Sequence, residues 1–120
     1  MTPNEMLQTA DLLLSAPPDS MADCWQRASA ALTRSALEKQ MAAYWEAAEP
    51  SLAHASKTHQ LLALPYYVDR EVAQTTQATW HGLSRAVHHH TYELSPTLPE
   101  LRSWHAEVVR AMAVLTSTTA

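Results

Sequence analysis

The residues best suited to chemistry in this chain lie together in one stretch of ten residues. The stretch reads Ser-Arg-Ala-Val-His-His-His-Thr-Tyr-Glu over positions 84–93. Imidazoles titrate near neutral pH and can act as acids, bases or metal ligands. Successive helical residues point about 100° apart, so three consecutive histidines do not follow from the packing pattern of a core helix. We therefore expect any functional site of the chain to include this stretch.

Helical spacing places several of these side chains on one face, because positions three or four apart on a helix are neighbours. The residues related in this way are His81, Arg85, His88 or His89, and Tyr92. A guanidinium can hold a phosphate through two parallel hydrogen bonds, and a histidine beside it can accept or deliver a proton. This face suits phosphodiester chemistry, in which a 2′-hydroxyl loses its proton. The alternative is an ordinary solvated helix face.

A metal site is a second alternative for the histidines. Its ligands would come from His81, His88, His90, Glu93 and His105. Zinc requires three or four ligands that converge tetrahedrally, whereas adjacent histidines on a helix diverge. The sequence contains neither the His-Glu-x-x-His pattern of zinc proteases nor the Glu-x-x-His pattern of di-iron bundles. We therefore expect no metal and no other cofactor.

Composition narrows the class of protein. The 120 residues are 47% hydrophobic and include one glycine and no phenylalanine, which favours a single helical domain with its own core. The net charge of −4 and the scattered lysines and arginines disfavour non-specific duplex binding. The lone Cys24 cannot form an internal disulfide, so we expect a reducing cytoplasm. No apolar run is long enough to span a membrane.

Capping motifs and prolines predict where the helices begin and end. Thr-Pro-Asn-Glu at 2–5 and Thr-Leu-Pro-Glu at 97–100 are typical of helix starts. The first helix should end near Ser15, and the last should end near Leu115 and leave a frayed tail. These helices and those between them predict an all-α fold over residues 1–120, a small antiparallel up-down bundle of four to five helices.

Two longer helices are expected between these ends. Asp19 or Ser20 should cap one that ends near Glu49, and Asp69 should cap another that reaches the break at Ser95. Their expected apolar lines are Met21, Trp25, Ala28, Leu32, Ala36, Met41 and Trp45 in the first, and Val72, Thr76, Thr79, Trp80, Leu83, Val87 and His90 in the second. This spacing indicates that the tryptophans belong to the core rather than to a stacking platform for nucleic acid.

Two segments, residues 27–38 and 83–112, together resemble the second, third and last helices of HEPN domains, and the similarity extends loosely over residues 20–115. HEPN domains are small helical bundles that usually dimerise, and many are metal-independent ribonucleases of toxin–antitoxin and antiphage systems with an Arg-x(4–6)-His motif. Arg85 and His90, with four residues between them, fit that motif. The resemblance implies that Arg85 stabilises charge at phosphorus and that His90 handles the proton of the 2′-hydroxyl. His81, His88, His89 and Tyr92 would then bind the RNA.

One position departs from the family pattern. Active members usually carry a polar residue directly after the arginine, and this chain has Ala86 there. The alternative function is therefore a catalytically inactive interaction or regulatory module that binds a protein partner such as an antitoxin. For either function we expect a homodimer, because the aromatic and methionine side chains supply more apolar surface than a bundle of this size needs.

Overall fold

The computed structural model describes residues 1–88 and 94–119, without the side chains of residues 118 and 119. Within these residues the secondary structure is helical. The helices are α1 (Pro3–Ser15), α2 (Trp25–Ala48), α3 (Pro50–Ala53), α4 (Lys57–Ala63), α5 (Arg70–Val87) and α6 (Leu98–Thr119), and single 3₁₀ turns cover Asp19–Met21 and Leu64–Tyr66. The predicted all-α bundle is confirmed for this part of the chain. No described helix combines the length and apolarity needed to cross a bilayer.

Helix α2 is the centre of the bundle. It packs against α1, α5 and α6, and α6 also packs against α1 and α5. Trp45 is fully buried on α2, with the rings of Tyr44 and Tyr67 edge-on to it at centroid distances of 5.0 and 4.9 Å. Because three helices cover it, α2 buries a wider face than its predicted apolar line. The buried residues of α2 are Ser29, Ala30, Thr33, Ala36, Leu37, Met41, Tyr44 and Trp45.

The predicted caps of three helices are confirmed. Thr2 and Glu5 form a reciprocal capping box at the start of α1, and the Asp69 carboxylate accepts hydrogen bonds from two backbone N–H groups at the start of α5. The Thr97 hydroxyl accepts from the backbone N–H of Glu100, and the carboxylate of Glu100 accepts from the backbone N–H of Thr97. Each cap satisfies donors that the first helical turn leaves unpaired.

The predicted start of α2 and the predicted end of α6 are wrong. Asp19 and Ser20 belong to a separate 3₁₀ turn, and α2 begins at Trp25, because Cys24 has φ −139° and ψ 3° and lies outside the helical region. Helix α6 continues beyond Leu115 to Thr119. Its added turn contributes Thr116 to the lining of a groove that α6 shares with α1, a role that the sequence pattern did not suggest.

A buried glutamine organises the short helices α3 and α4. Gln60 is fully buried, and its Nε2 donates to the carbonyl of Leu52 at 2.8 Å and to those of Ala53 and Ala55 at 3.3 Å. Its Oε1 accepts from Nζ of Lys57 at 3.2 Å. The side chain thus supplies a donor to three carbonyls at and just after the end of α3, of which that of Leu52 also accepts from the backbone N–H of Ala55.

The two glutamates of the capping boxes predict how stability responds to acid. Hydrogen bonds from the backbone N–H and hydroxyl of Thr2 lower the pKa of Glu5 from its ordinary value of 4.5, and the same groups of Thr97 lower the pKa of Glu100. Because the folded-state pKa values lie below the unfolded ones, the stabilisation is present above pH 4.5 and is lost as pH falls through the folded values.

Replacing both glutamates by glutamine should therefore reduce the loss of stability in acid. Glutamine keeps the capping hydrogen bond but does not titrate. Urea unfolding of the wild type and of the double variant, compared between pH 6 and pH 3, should give the shallower pH dependence in the variant. Equal slopes for the two proteins would contradict a contribution of these carboxylates.

Candidate functional site

The polar face of α5 presents His81 and Arg85, two of the residues predicted for the site. His81 and Arg85 are exposed on this face, Gln74 is exposed further along it, and Ser84 is half-buried. The opposite face is buried through Ala73, Thr76, Thr79, Gly82, Leu83 and Ala86. The prediction that His81 and Arg85 share an outer face of this helix is confirmed. The buried residues of α5 are smaller than the predicted apolar line, because Val72, Trp80 and Val87 of that line are only half-buried.

Helix α5 ends before most of the histidine run. Its last residue is Val87, and His88 is the C-cap, with φ −95° and ψ 20°. The prediction that the helix continues to the break at Ser95 is therefore wrong, because the helix ends before His88. His88 follows Arg85 by three residues and is exposed. His89, His90, Tyr92 and Glu93 lie outside the described residues.

His81, Ser84, Arg85 and His88 surround a single open hollow of about 420 Å³. The lining of the hollow therefore consists of two histidines, a serine and an arginine. Arginine presents five N–H donors in a planar fork, and a hydroxyl can donate or accept. This set of groups can bind an oxyanion and exchange a proton with a ligand. It agrees with the shared face that the spacing of His81, Arg85 and His88 predicted.

Arg85 also borders a second hollow, of about 370 Å³, at the junction of α5 and α6. Glu100 and Trp104 line this hollow on the α6 side. The charge of Arg85 adds a smaller contribution to the lowered pKa of Glu100, after the hydrogen bonds from Thr97. Arg85 therefore borders both the histidine-lined hollow and the hollow at the start of α6.

A polar network between α2 and α5 lies behind the first hollow, and the sequence did not indicate it. Nη1 of Arg34 donates to Oγ of Ser84 at 3.5 Å. Nε of Arg34 lies 3.9 Å from Oε2 of Glu38, and Nε1 of Trp80 donates to that same oxygen at 3.0 Å. The structure places Arg34 and Glu38, both half-buried, against the site helix.

The one glycine of the chain sets the distance between α5 and α6 beside the site. Gly82 is buried in α5, and a Cβ added to it would lie 2.7 Å from Cε2 and Cζ2 of Trp104 and 2.8 Å from Nε1. The indole therefore packs directly on the helix backbone. This contact fixes Trp104 in the wall of the hollow that Arg85 borders.

Alanine at position 82 should therefore change stability in opposite directions, depending on Trp104. In the wild type, Gly82→Ala gains about 1 kcal/mol of helix propensity but crowds the indole, which costs about 1–3 kcal/mol, so we expect net destabilisation. In a Trp104→Ala background the crowding is gone, and Gly82→Ala should stabilise by about 1 kcal/mol. Urea unfolding of the four proteins measures both effects. Destabilisation in both backgrounds would contradict the contact.

The residues proposed for the metal alternative are not gathered in the described part of the chain. Nε2 of His105 lies 2.9 Å from the carbonyl oxygen of Leu7, and His105 lines a groove between α1 and α6 rather than the hollow of His81 and His88. Within residues 1–88 and 94–119 no three histidine, cysteine, aspartate or glutamate side chains form a group that could hold a metal ion. His90 and Glu93 of that alternative lie outside the described residues.

The tryptophans belong to the core, as their spacing predicted. Trp45 is fully buried, and Trp25, Trp80 and Trp104 are half-buried and pack against the core. Trp80 also meets the ring of His81 edge-on at 5.2 Å, so it supports one histidine of the site from behind. Cys24, at the start of α2, is exposed and free.

Comparisons of this chain with protein-family models, with curated proteins and with solved structures found no match.

Proposed function

We propose that the chain is a HEPN-like, metal-independent endoribonuclease that binds the RNA backbone at the α5 hollow. The observation that carries the proposal is that Arg85, His81 and His88 line one open hollow on the outer face of α5 and at its C-cap. RNA offers a phosphate for the guanidinium and a 2′-hydroxyl for a histidine. The Arg-x4-His spacing of Arg85 and His90 supports the same chemistry.

The reaction would proceed by attack of the 2′-hydroxyl on the adjacent phosphorus. A histidine accepts the hydroxyl proton as the O2′–P bond forms, and the P–O5′ bond breaks as the 5′ oxygen takes up a proton from a second acid. Arg85 stabilises the negative charge on the pentavalent phosphorus. The resemblance to HEPN domains assigns the first proton transfer to His90. Water can serve as the second acid, and His88, which lines the hollow beside Arg85, belongs to the proposed RNA-binding surface.

The proposed assembly combines the family resemblance with the lone cysteine and the apolar side chains of the sequence. We place the active protein in the cytoplasm as a homodimer whose activity is restrained by a protein partner such as an antitoxin, in a toxin–antitoxin or defence-type system. His89 and Tyr92 belong to the proposed RNA-binding surface together with His81.

Cleavage without metal tests the proposal. The purified chain is incubated in excess EDTA with tRNA, another structured RNA and an unstructured RNA, each labelled at its 5′ end. We expect discrete fragments that end in a 2′,3′-cyclic phosphate or its hydrolysis product, because attack by the 2′-hydroxyl leaves that end. Fragments that end in a 3′-hydroxyl, or intact RNA in every reaction, would contradict the enzyme proposal.

One observation favours the second candidate, a non-catalytic module that binds RNA or a protein. Ala86, which occupies the position of the usual polar residue, is buried in the α5 interface and offers no group to a substrate beside Arg85. This candidate predicts intact RNA in the same reactions, together with loss of a bound ligand or partner when Arg85 is replaced by alanine.

A further inference from the structure

The Ser84 hydroxyl differs from several other hydroxyls on the helices of this chain. Those of Thr9, Thr33 and Thr76 donate to the carbonyl four residues earlier, at 3.0, 2.9 and 2.7 Å. That backward bond is the usual partner of a serine or threonine within a helix. Ser84 Oγ instead accepts from Nη1 of Arg34, and an arginine has no acceptor to offer in return. Among the described residues no acceptor takes the proton of Ser84.

Arg34 is held in place for this contact. Its Nε lies 3.9 Å from the carboxylate of Glu38, which is itself fixed by the indole N–H of Trp80 at 3.0 Å. Nε of Arg34 is buried and has no hydrogen-bond partner among the described residues. The Glu38 carboxylate balances the charge of Arg34, so the guanidinium is held between α2 and α5 with Nη1 directed at Ser84.

We propose that Ser84 is a phosphate-binding residue of the α5 hollow and that Arg34 is the positioning residue that directs its hydroxyl. Because Arg34 occupies a lone pair of Ser84 Oγ, the O–H is left to donate towards a phosphate oxygen that Arg85 binds from the other side. Glu38 and Trp80 fix Arg34 from behind. This inference rests on the proposed function, since it deepens the recognition of the same RNA phosphate.

The test measures affinity for RNA rather than cleavage. The probe is a fluorescent single-stranded RNA in which every 2′-hydroxyl is methylated, so that it cannot be cut. Loss of one hydrogen bond to a charged group should weaken its binding about tenfold in Ser84→Ala. Ser84→Thr retains a hydroxyl and should bind nearly as the wild type does. Arg34→Gln, whose shorter side chain cannot reach Ser84, should lose several-fold in affinity.

A double-mutant cycle separates positioning from general structural damage. If Arg34 acts through Ser84, then Arg34→Gln should cost little further affinity in a Ser84→Ala background. Arg34→Lys, which keeps a charge and donors near Ser84, should recover part of the affinity. Melting curves of all variants show whether they fold. Arg70→Ala serves as the charge-matched control, because it removes an exposed arginine about 22 Å along the same helix.

The outcomes distinguish this inference from the function on which it rests. If Arg85→Ala weakens RNA binding and Ser84→Ala does not, the role of Ser84 is wrong and the proposed site stands. If the losses of Arg34→Gln and Ser84→Ala simply multiply, Arg34 does not act through Ser84. If the wild type does not bind the RNA, or Arg85→Ala binds it equally well, both proposals are overturned.

Discussion

Replacing Arg85 by alanine should lower the rate of RNA cleavage by about 100-fold or more. The guanidinium is exposed, and it lines the hollow shared with the histidines. It is the one fixed positive charge among the residues that surround that hollow. Without it, the charge that develops on phosphorus has no strong donor nearby. Arg85→Lys should keep part of the rate, because lysine supplies the charge but not the planar fork.

The comparison needs a control that loses the same charge elsewhere. Arg70→Ala provides it, because Arg70 is exposed at the opposite end of α5. Exposed substitutions usually change stability by less than about 0.5 kcal/mol, so both variants should melt like the wild type. His90→Ala should lose about as much activity as Arg85→Ala, and His88→Ala and His89→Ala should lose less. Equal residual cleavage by the wild type and Arg85→Ala would indicate a contaminating nuclease.

Replacing Gln60 by glutamate should destabilise the fold more than the other substitutions considered, by about 3 kcal/mol or more at neutral pH. The change removes the amide donor that satisfies the carbonyls of Leu52, Ala53 and Ala55. It also places a carboxylate in a fully buried position, where Lys57 can approach one oxygen and carbonyl oxygens face the other. The free energy of unfolding from urea titration measures the effect.

The pH dependence of this variant's stability shows whether the buried carboxylate causes the loss. Burial among carbonyls should raise the pKa of the new carboxyl in the folded state, so the penalty is small in acid and grows as pH rises above the unfolded pKa of about 4.3. Gln60→Leu should cost about 2 kcal/mol with no such dependence. Gln74→Glu, on the exposed face of α5, should change stability little. A penalty in Gln60→Glu that does not vary with pH would contradict this explanation.

Local patterns in the sequence predicted the parts of the fold that depend on local forces. The caps at Thr2, Asp69 and Thr97 involve groups two or three residues apart, so they are visible in the sequence. Helix periodicity likewise identified the outer face with His81 and Arg85. The start of α2 was missed because it depends on the backbone at Cys24, which no local motif marks.

The contacts that complete the site join distant parts of the chain. Arg34 and Ser84 are separated by 50 residues. Hydrophobic periodicity predicts the buried face of each helix but not which residues of two packed helices contact each other. Gly82 did give a signal, because a glycine within a helix costs about 1 kcal/mol and therefore suggests a close approach of another element. The partner, Trp104, could not be named without the structure.

Imidazole resonances give the most direct test of the claim that α5 binds RNA. The histidines are labelled with ¹⁵N, assigned through single His→Gln variants, and followed while the 2′-O-methylated RNA is added. His81 and His88 line the proposed site, whereas His105 lines the groove between α1 and α6. We expect the resonances of His81 and His88 to shift in proportion to bound RNA while those of His105 stay in place. Shifts confined to His105, or no shift at saturating RNA, would contradict the proposed site.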